Sequence, residues 1–382
     1  MLVGIRVAFW IGAALAFLWS PAAVAGGERA FRAYEARSDL LFGTFATWDS
    51  GWYVAIADDG YDSRQSTAYF PLYPVVVRAL SFVTGSTVVA GVLVALVGAG
   101  VAAVLLAELA RPLLGERGAR DSVLLFALYP AAFVFTSIYT DGLFLALAAG
   151  AFLAAQQGRS WLAGGLGGLA VATRLLGLAL LPALVLLLWR GRRPRELVRL
   201  APLLALPGAL AAYGLYLDHR FGSWDVFADA QREFWGRHVP TLGPLGGLWE
   251  SAESAYHGLA QLALHLPRTG ETYDRFDQQA VWFVLHFALL VAAIALTWVA
   301  WRRLGAPFGL YSAALLVIVL SSTIDWFPLQ SFPRYVLMDF PLFLALAALL
   351  RDRPRARTIV LCTFAATGAL AAVAFARGVW IA

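Results

Sequence analysis

The 382-residue chain contains no lysine, so its 29 basic side chains are all arginine. It has a single cysteine, Cys362, in an apolar run. One chain therefore forms no internal disulfide and no cysteine-based zinc site. The five histidines are scattered, with no pair at metal-ligand spacing on one helix. Charge is scarce: 14% of residues are charged, 60% are hydrophobic, and the mean hydropathy is +0.71. A soluble domain carries about a quarter charged residues, and one core of this size cannot hide so much apolar surface. These shortages exclude a cytosolic enzyme, a secreted disulfide scaffold and a disordered chain. Long apolar runs between short Arg clusters indicate an all-α polytopic membrane protein, one domain over 1–382. The net charge of +5 does not point to nucleic acid, because the arginines sit mainly between the apolar runs.

Eleven spans are expected, near 5–25, 86–109, 122–138, 141–156, 161–174, 176–189, 199–217, 279–301, 306–323, 336–350 and 358–380. Three of them, 141–156, 161–174 and 176–189, are short for a straight crossing, and the last two suit a pair broken around Arg174. Residues 5–25 also resemble a signal peptide with a cleavage site at Ala23-Val24-Ala25, although a retained span is preferred. Arg clusters at 111–120, 190–199, 302–303 and 351–357 fall on one side, which is assigned to the cytoplasm. The two long loops, 26–85 and 218–278, then lie outside and hold most of the carboxylates. Within the second, Trp224, Phe227, Ala228, Phe234 and Trp235 share a helical face, as in an interfacial helix.

The segment Trp48-Asp49-Ser50-Gly51-Trp52-Tyr53-Val54-Ala55-Ile56-Ala57-Asp58-Asp59-Gly60-Tyr61 is the most informative stretch. Its spacing predicts a short helix that starts at Asp49 and ends at Gly60, with Trp52, Tyr53, Ile56 and Ala57 on the face of Asp49. A carboxylate at a helix N-terminus is favoured in its ionised form. Two readings of Asp49 stand: an N-cap on an interfacial helix, and a general base framed by aromatic rings. Asp58, Asp59 and Asp62 also fit the D-D-x-x-D pattern of magnesium-diphosphate chemistry, but no second acidic motif accompanies them.

That segment, with Ala68-Tyr69-Phe70-Pro71-Leu72-Tyr73-Pro74, resembles the first luminal loop of the PIG-V family, the GPI mannosyltransferase 2 enzymes and their bacterial relatives. Further similar elements follow in order. S-I-Y-T-D-G-L-F at 137–144 resembles the family's Y-T-E-S-L-F, with Asp141 for Glu and Gly142 for Ser. A-T-R-L-L-G-L at 172–178 resembles its T-R-x-x-G, and F-P-R-Y-V-L-M-D-F-P-L-F at 332–343 its R-Y element. The resemblance implies a GT-C fold, with two outer loops bearing interfacial helices. It implies mannose, or another hexose, moved from a polyprenyl-phosphate donor to an acceptor hydroxyl on the outer face of the plasma membrane. It makes Asp49 the catalytic base.

Transfer of this kind needs a base for the acceptor hydroxyl, a cation for the leaving phosphate and a groove for the lipid tail. No cofactor and no divalent metal is called for. Arg334 and Arg174 are the candidate phosphate ligands. Snorkelling is the alternative for Arg334, and capping of a broken helix pair for Arg174. Trp52, Tyr53, Tyr69, Asp141 and Tyr335 are candidate substrate-binding residues. For Asp141, capping of a short turn is the alternative. The expected partners are the lipid-phosphate sugar, a lipid, glycolipid or protein acceptor, and membrane lipids. A lipid-linked sugar transporter and a non-catalytic assembly subunit are the rival functions.

Overall fold

Gly60 ends the helix that begins at Asp49, where its position predicts. The computed structural model describes residues 4–5, 7–12, 46–189, 197–264, 273–376 and 379, with side chains at all but 264 and 273–278. The possible cleavage site at 23–25 and the Arg cluster at 190–195 lie outside the described residues. Helix α1, Asp49–Asp59, carries Asp49 in its first turn, and the Gly60 N–H donates to Ile56 O at φ 78°. Burial is wider than a single face: Ser50, Gly51 and Val54 are buried along with Trp52, Tyr53, Ile56 and Ala57. The reason is that α1 is wrapped on several sides by aromatic neighbours.

Helix α2, Leu72–Thr84, starts directly after Pro71, so the Pro71–Pro74 stretch opens a helix. Tyr73 Oη donates to Gly91 O at 2.8 Å and ties α2 to α3, Thr87–Leu128. Spans were expected at 86–109 and 122–138. The stretch α3 holds two helices that meet at a kink at Gly115 (φ 71°, ψ 178°), so a break falls between the two expected spans, and the second helix stops at Leu128, short of 138. Pro130 lacks an N–H to continue it, and Pro130–Thr136 forms a 3-10 turn bent by 102° from α4, Asp141–Gln156. A Cβ on Gly142 would stand 2.3 Å from Ala95 O. Only glycine lets α4 approach α3 this closely, which accounts for Gly142 where the family motif has Ser.

The expected break at Arg174 is present. Helix α5, Ser160–Thr173, gives way to an extended Arg174, a 3-10 turn Leu175–Ala179 and α6, Leu180–Leu188. A 3-10 stretch, Val198–Leu204, leads into α7, Ala205–Phe221. The second loop contains α8, Val226–Trp235, β1, Arg237–His238, and α9, Pro244–Leu264. After α10, Tyr273–Val299, and α11, Ala306–Leu320, strand β2, Thr323–Ile324, pairs antiparallel with β1, His238 opposite Thr323. Helices α12, Phe332–Met338, and α13, Phe340–Leu350, bend by 78°, and α14 is Pro354–Ala376.

Four helical stretches among the described residues are long and apolar enough to cross a membrane: Thr87–Leu128, Val198–Phe221, Gln279–Leu304 and Pro354–Ala376. Counting each of the two bent pairs as one crossing gives six. The protein is therefore a helical membrane protein, and the described residues do not confirm the count of eleven. The helices at 160–173, 175–188 and 306–320 are shorter than a crossing requires. Arg357 on α14 forms two hydrogen bonds, 2.7 and 2.6 Å, to Asp121 on α3, which brings two Arg-rich turns side by side.

The five-residue face expected at 224–235 is split. Phe227 and Trp235 pack inward against Phe70 and Tyr69, while Trp224 and Phe234 are exposed. The second loop thus folds onto the first, where Gln231 on α8 donates to Ala68 O at 3.4 Å, and Tyr213 on α7 adds a bond to Thr67 O at 2.7 Å.

Candidate active site

Four charged side chains from four parts of the chain form one connected row. Arg334 Nη1 donates to Asp49 Oδ2 at 3.1 Å, and its Nη2 to Asp141 Oδ2 at 3.0 Å. Arg174 Nη1 donates to the same Asp141 oxygen at 3.2 Å. Local backbone explains the placement. Asp49 opens α1, Asp141 opens α4, Arg174 sits in the α5–α6 break and Arg334 on the one-turn-plus helix α12. The residues ahead of α1 and α12, Trp48 (φ 58°) and Ser331 (φ 63°), are the positive-φ non-glycine residues among those described. Such backbone conformations cost of order 1–3 kcal/mol and gather at functional sites.

Asp49 has a second partner on its other oxygen, Tyr69 Oη at 3.1 Å. Burial, then the neighbouring Asp49 charge, pushes the Tyr69 hydroxyl well above the usual tyrosine range, so it stays a donor. Burial likewise pushes Tyr53 up to about 12. The rings enclose the carboxylate: Trp52 stacks on Tyr69 at 5.7 Å, and Trp235 meets both edge-on. Arg334 lies over the Tyr139 ring, 4.4 Å from its centroid.

A cavity of about 610 Å³ opens in front of this row. Asp49 is the only carboxylate lining it among the described residues. Arginines 174, 232, 237 and 334 also line it, as do Trp52, Tyr53, Tyr69, Trp235 and Tyr335. One edge is apolar, made by Leu175 and Leu176 after the α5–α6 break and by Ile318 and Val319 near the end of α11. Here an anion meets cations, a ring-shaped polar ligand meets indoles, and an alkyl chain meets aliphatic side chains.

Of the residues singled out from sequence, Asp49, Trp52, Tyr53, Tyr69, Arg174, Arg334 and Tyr335 line the cavity together. Asp141 does not. It is 0% exposed and serves as the shared counter-ion of Arg334 and Arg174. Arg334 is 3% exposed and held by two carboxylates, whereas Arg174 is 19% exposed and has one. Asp58, Asp59 and Asp62 are exposed and lie off the cavity, so the D-D-x-x-D reading finds no support here.

Two contributors escaped the sequence reading. Arg237 on β1 donates to Tyr335 Oη at 2.7 Å and to Ser322 O at 3.0 Å, and no carboxylate pairs with it among the described residues. Trp235 completes the aromatic wall. Both come from the second loop and reach the cavity because a two-residue strand, β1, pairs with β2. Beside them His238 lies 3.2 Å from Glu250 and 2.8 Å from Asp325 and fixes that strand to α9.

This arrangement of bundle, loops and charged row is the GT-C fold of membrane glycosyltransferases. The structure of ArnT from Cupriavidus metallidurans in the apo state matches with a TM-score of 0.54 at 14% identity, over 95% of this chain and 61% of that one. ArnT from the same organism bound to undecaprenyl phosphate matches with 0.54 at 16% identity, over 97% and 63%. This chain thus spans about three fifths of the length of ArnT. The family described as Mannosyltransferase (PIG-V) matches residues 24–191. The resemblance read from the motifs at 48–61, 68–74, 137–144 and 172–178 is shown over that stretch, and the 332–343 element lies beyond it. No curated protein sequence matches the chain.

Proposed function

We propose that the protein is a membrane glycosyltransferase that moves mannose, or another hexose, from a polyprenyl-phosphate sugar to an acceptor hydroxyl on the outer face. The observation that carries this reading is Asp49, the one carboxylate among the described residues that faces a cavity lined by indoles and guanidinium groups. The PIG-V match and the GT-C fold support it. So does the undecaprenyl phosphate bound by ArnT, because a lipid phosphate is what remains of the donor after transfer.

In the proposed step the acceptor hydroxyl gives its proton to Asp49. Its oxygen forms a bond to the anomeric carbon while the bond from that carbon to the phosphate oxygen breaks. The bonding pair leaves with the phosphate, and attack from the opposite side inverts the configuration. Charge grows on the phosphate as the bond breaks, so fixed guanidinium groups stabilise that transition state most. Arg237 and Arg174 suit this role better than Arg334, whose guanidinium is already committed to Asp49 and Asp141. The donor tail would follow the apolar edge of the cavity, and the sugar would rest on Trp52 and Trp235.

The test is incubation of the purified protein in detergent with labelled polyprenyl-phosphate-mannose and a membrane lipid extract. A labelled product that requires Asp49 supports the reading. Transport requires two compartments, so movement across sealed vesicles without transfer in detergent would overturn it in favour of a transporter.

A further inference from the structure

Asp141 is an acid with no access to a ligand. It is 0% exposed and does not line the cavity, yet it binds two arginines that do. Arg334 turns the edge formed by Nη2 and Nε toward it, at 3.0 and 3.5 Å, and meets Asp49 through Nη1. Two aspartates and two arginines balance in charge across this row. A guanidinium fork left alone with one carboxylate favours a two-pronged pair. In that pair Asp49 would give both oxygens to Arg334. With a single prong, and Tyr69 on the other oxygen, Asp49 keeps lone pairs for the cavity, and its side chain is 20% exposed.

We infer that Asp141 is a positioning residue that draws the Arg334 fork away from Asp49 and so keeps the Asp49 carboxylate open to an acceptor hydroxyl. The same carboxylate restrains Arg174 at the cavity wall. The inference rests on the glycosyltransferase reading with Asp49 as base. Loss of the Asp141 charge then has two opposed effects. Arg334 closes on Asp49 and slows proton transfer. Arg174, released from its partner, meets a phosphate more freely.

The experiment compares Asp141→Asn and Asp141→Glu with the unaltered protein. Transfer from polyprenyl-phosphate-mannose and binding of undecaprenyl phosphate are both measured in detergent. Asp141→Asn should lower kcat by about tenfold or more, with undecaprenyl phosphate binding unchanged or tighter. Asp141→Glu keeps the charge and should retain more kcat than Asn. A packing role predicts the reverse order, because Asn matches the size of Asp and Glu overfills a closed site. Equal loss of turnover and binding in Asn, Asn outperforming Glu, or failure of both variants to fold would each overturn the inference. If the unaltered protein neither transfers mannose nor binds undecaprenyl phosphate, it is the underlying functional reading that fails.

Discussion

Arg334 and Asp49 are separated by 285 residues in sequence and by 3.1 Å in space. This contact joins α1 to α12, between α11 and α13, and closes the wall of the cavity. It also assigns different work to residues of similar charge. A buried cation held by two acids has little to offer a substrate, whereas a cation held by neutral groups keeps its charge available.

Arg237 should therefore matter more than Arg334 for donor phosphate. Arg237→Ala should weaken undecaprenyl phosphate binding by roughly 1.5–3 kcal/mol, the worth of a charge-assisted contact. Arg237→Lys should recover part of that loss, because an ammonium supplies charge without the fork. Undiminished binding in the Ala variant would move the phosphate to Arg174.

Tyr69 presents the complementary case. Tyr69→Phe removes the hydroxyl from Asp49 and keeps the ring that stacks on Trp52. Transfer should fall severalfold, in line with about 0.5–1.5 kcal/mol for one hydrogen bond, with thermal stability nearly unchanged. Full activity in Tyr69→Phe would show that Asp49 needs no second partner.

The close approach of α3 and α4 gives a stability prediction. Gly142→Ser places a side chain 2.3 Å from the expected position of Ala95 O. The cost of such overpacking is about 1–3 kcal/mol. A lower melting temperature in detergent, with Gly100→Ser as an open-space control, is the expected result. Equal melting temperatures would mean that the two helices are further apart.

The outward placement of the long loops can be tested by labelling in a Cys362→Ser background. Asp62→Cys and His257→Cys, both at exposed positions, should react with an impermeant thiol reagent in intact cells. Arg353→Cys, also exposed, should react only after lysis. The opposite pattern would invert the topology.

Local signals made part of this legible in sequence. Asp49 and Gly60 bracket a helix through dipole and left-handed-turn preferences, and both ends stand where the spacing predicts. The break at Arg174 was marked by two apolar runs too short to cross alone. Arg237 and the neighbouring Trp235 are hidden because their place depends on a two-residue strand pairing with residues 85 to 87 positions away, which leaves no periodic trace. The burial of Asp141 was hidden for the same reason: its neighbours Arg174 and Arg334 come from distant segments. Helix α8 was misjudged because an aromatic face that packs on protein has the same spacing as one that lies on lipid.

The role of Asp49 is the central claim, and Asp49→Asn is its most direct test. Trp48, not Asp49, holds the N-cap position of α1 and no side chain caps it, so the N-cap reading of Asp49 does not hold. Asn keeps the size and an oxygen that accepts a hydrogen bond, but it has neither charge nor basicity. The variant should insert and melt like the unaltered protein and still bind undecaprenyl phosphate. With polyprenyl-phosphate-mannose it should transfer sugar at least about a hundredfold more slowly, the lower end of what a general base contributes. Asp58→Asn and Asp59→Asn, whose carboxylates lie off the cavity, should leave transfer unchanged. Near-normal transfer by Asp49→Asn, or loss of transfer in the Asp58 and Asp59 variants instead, would contradict the account.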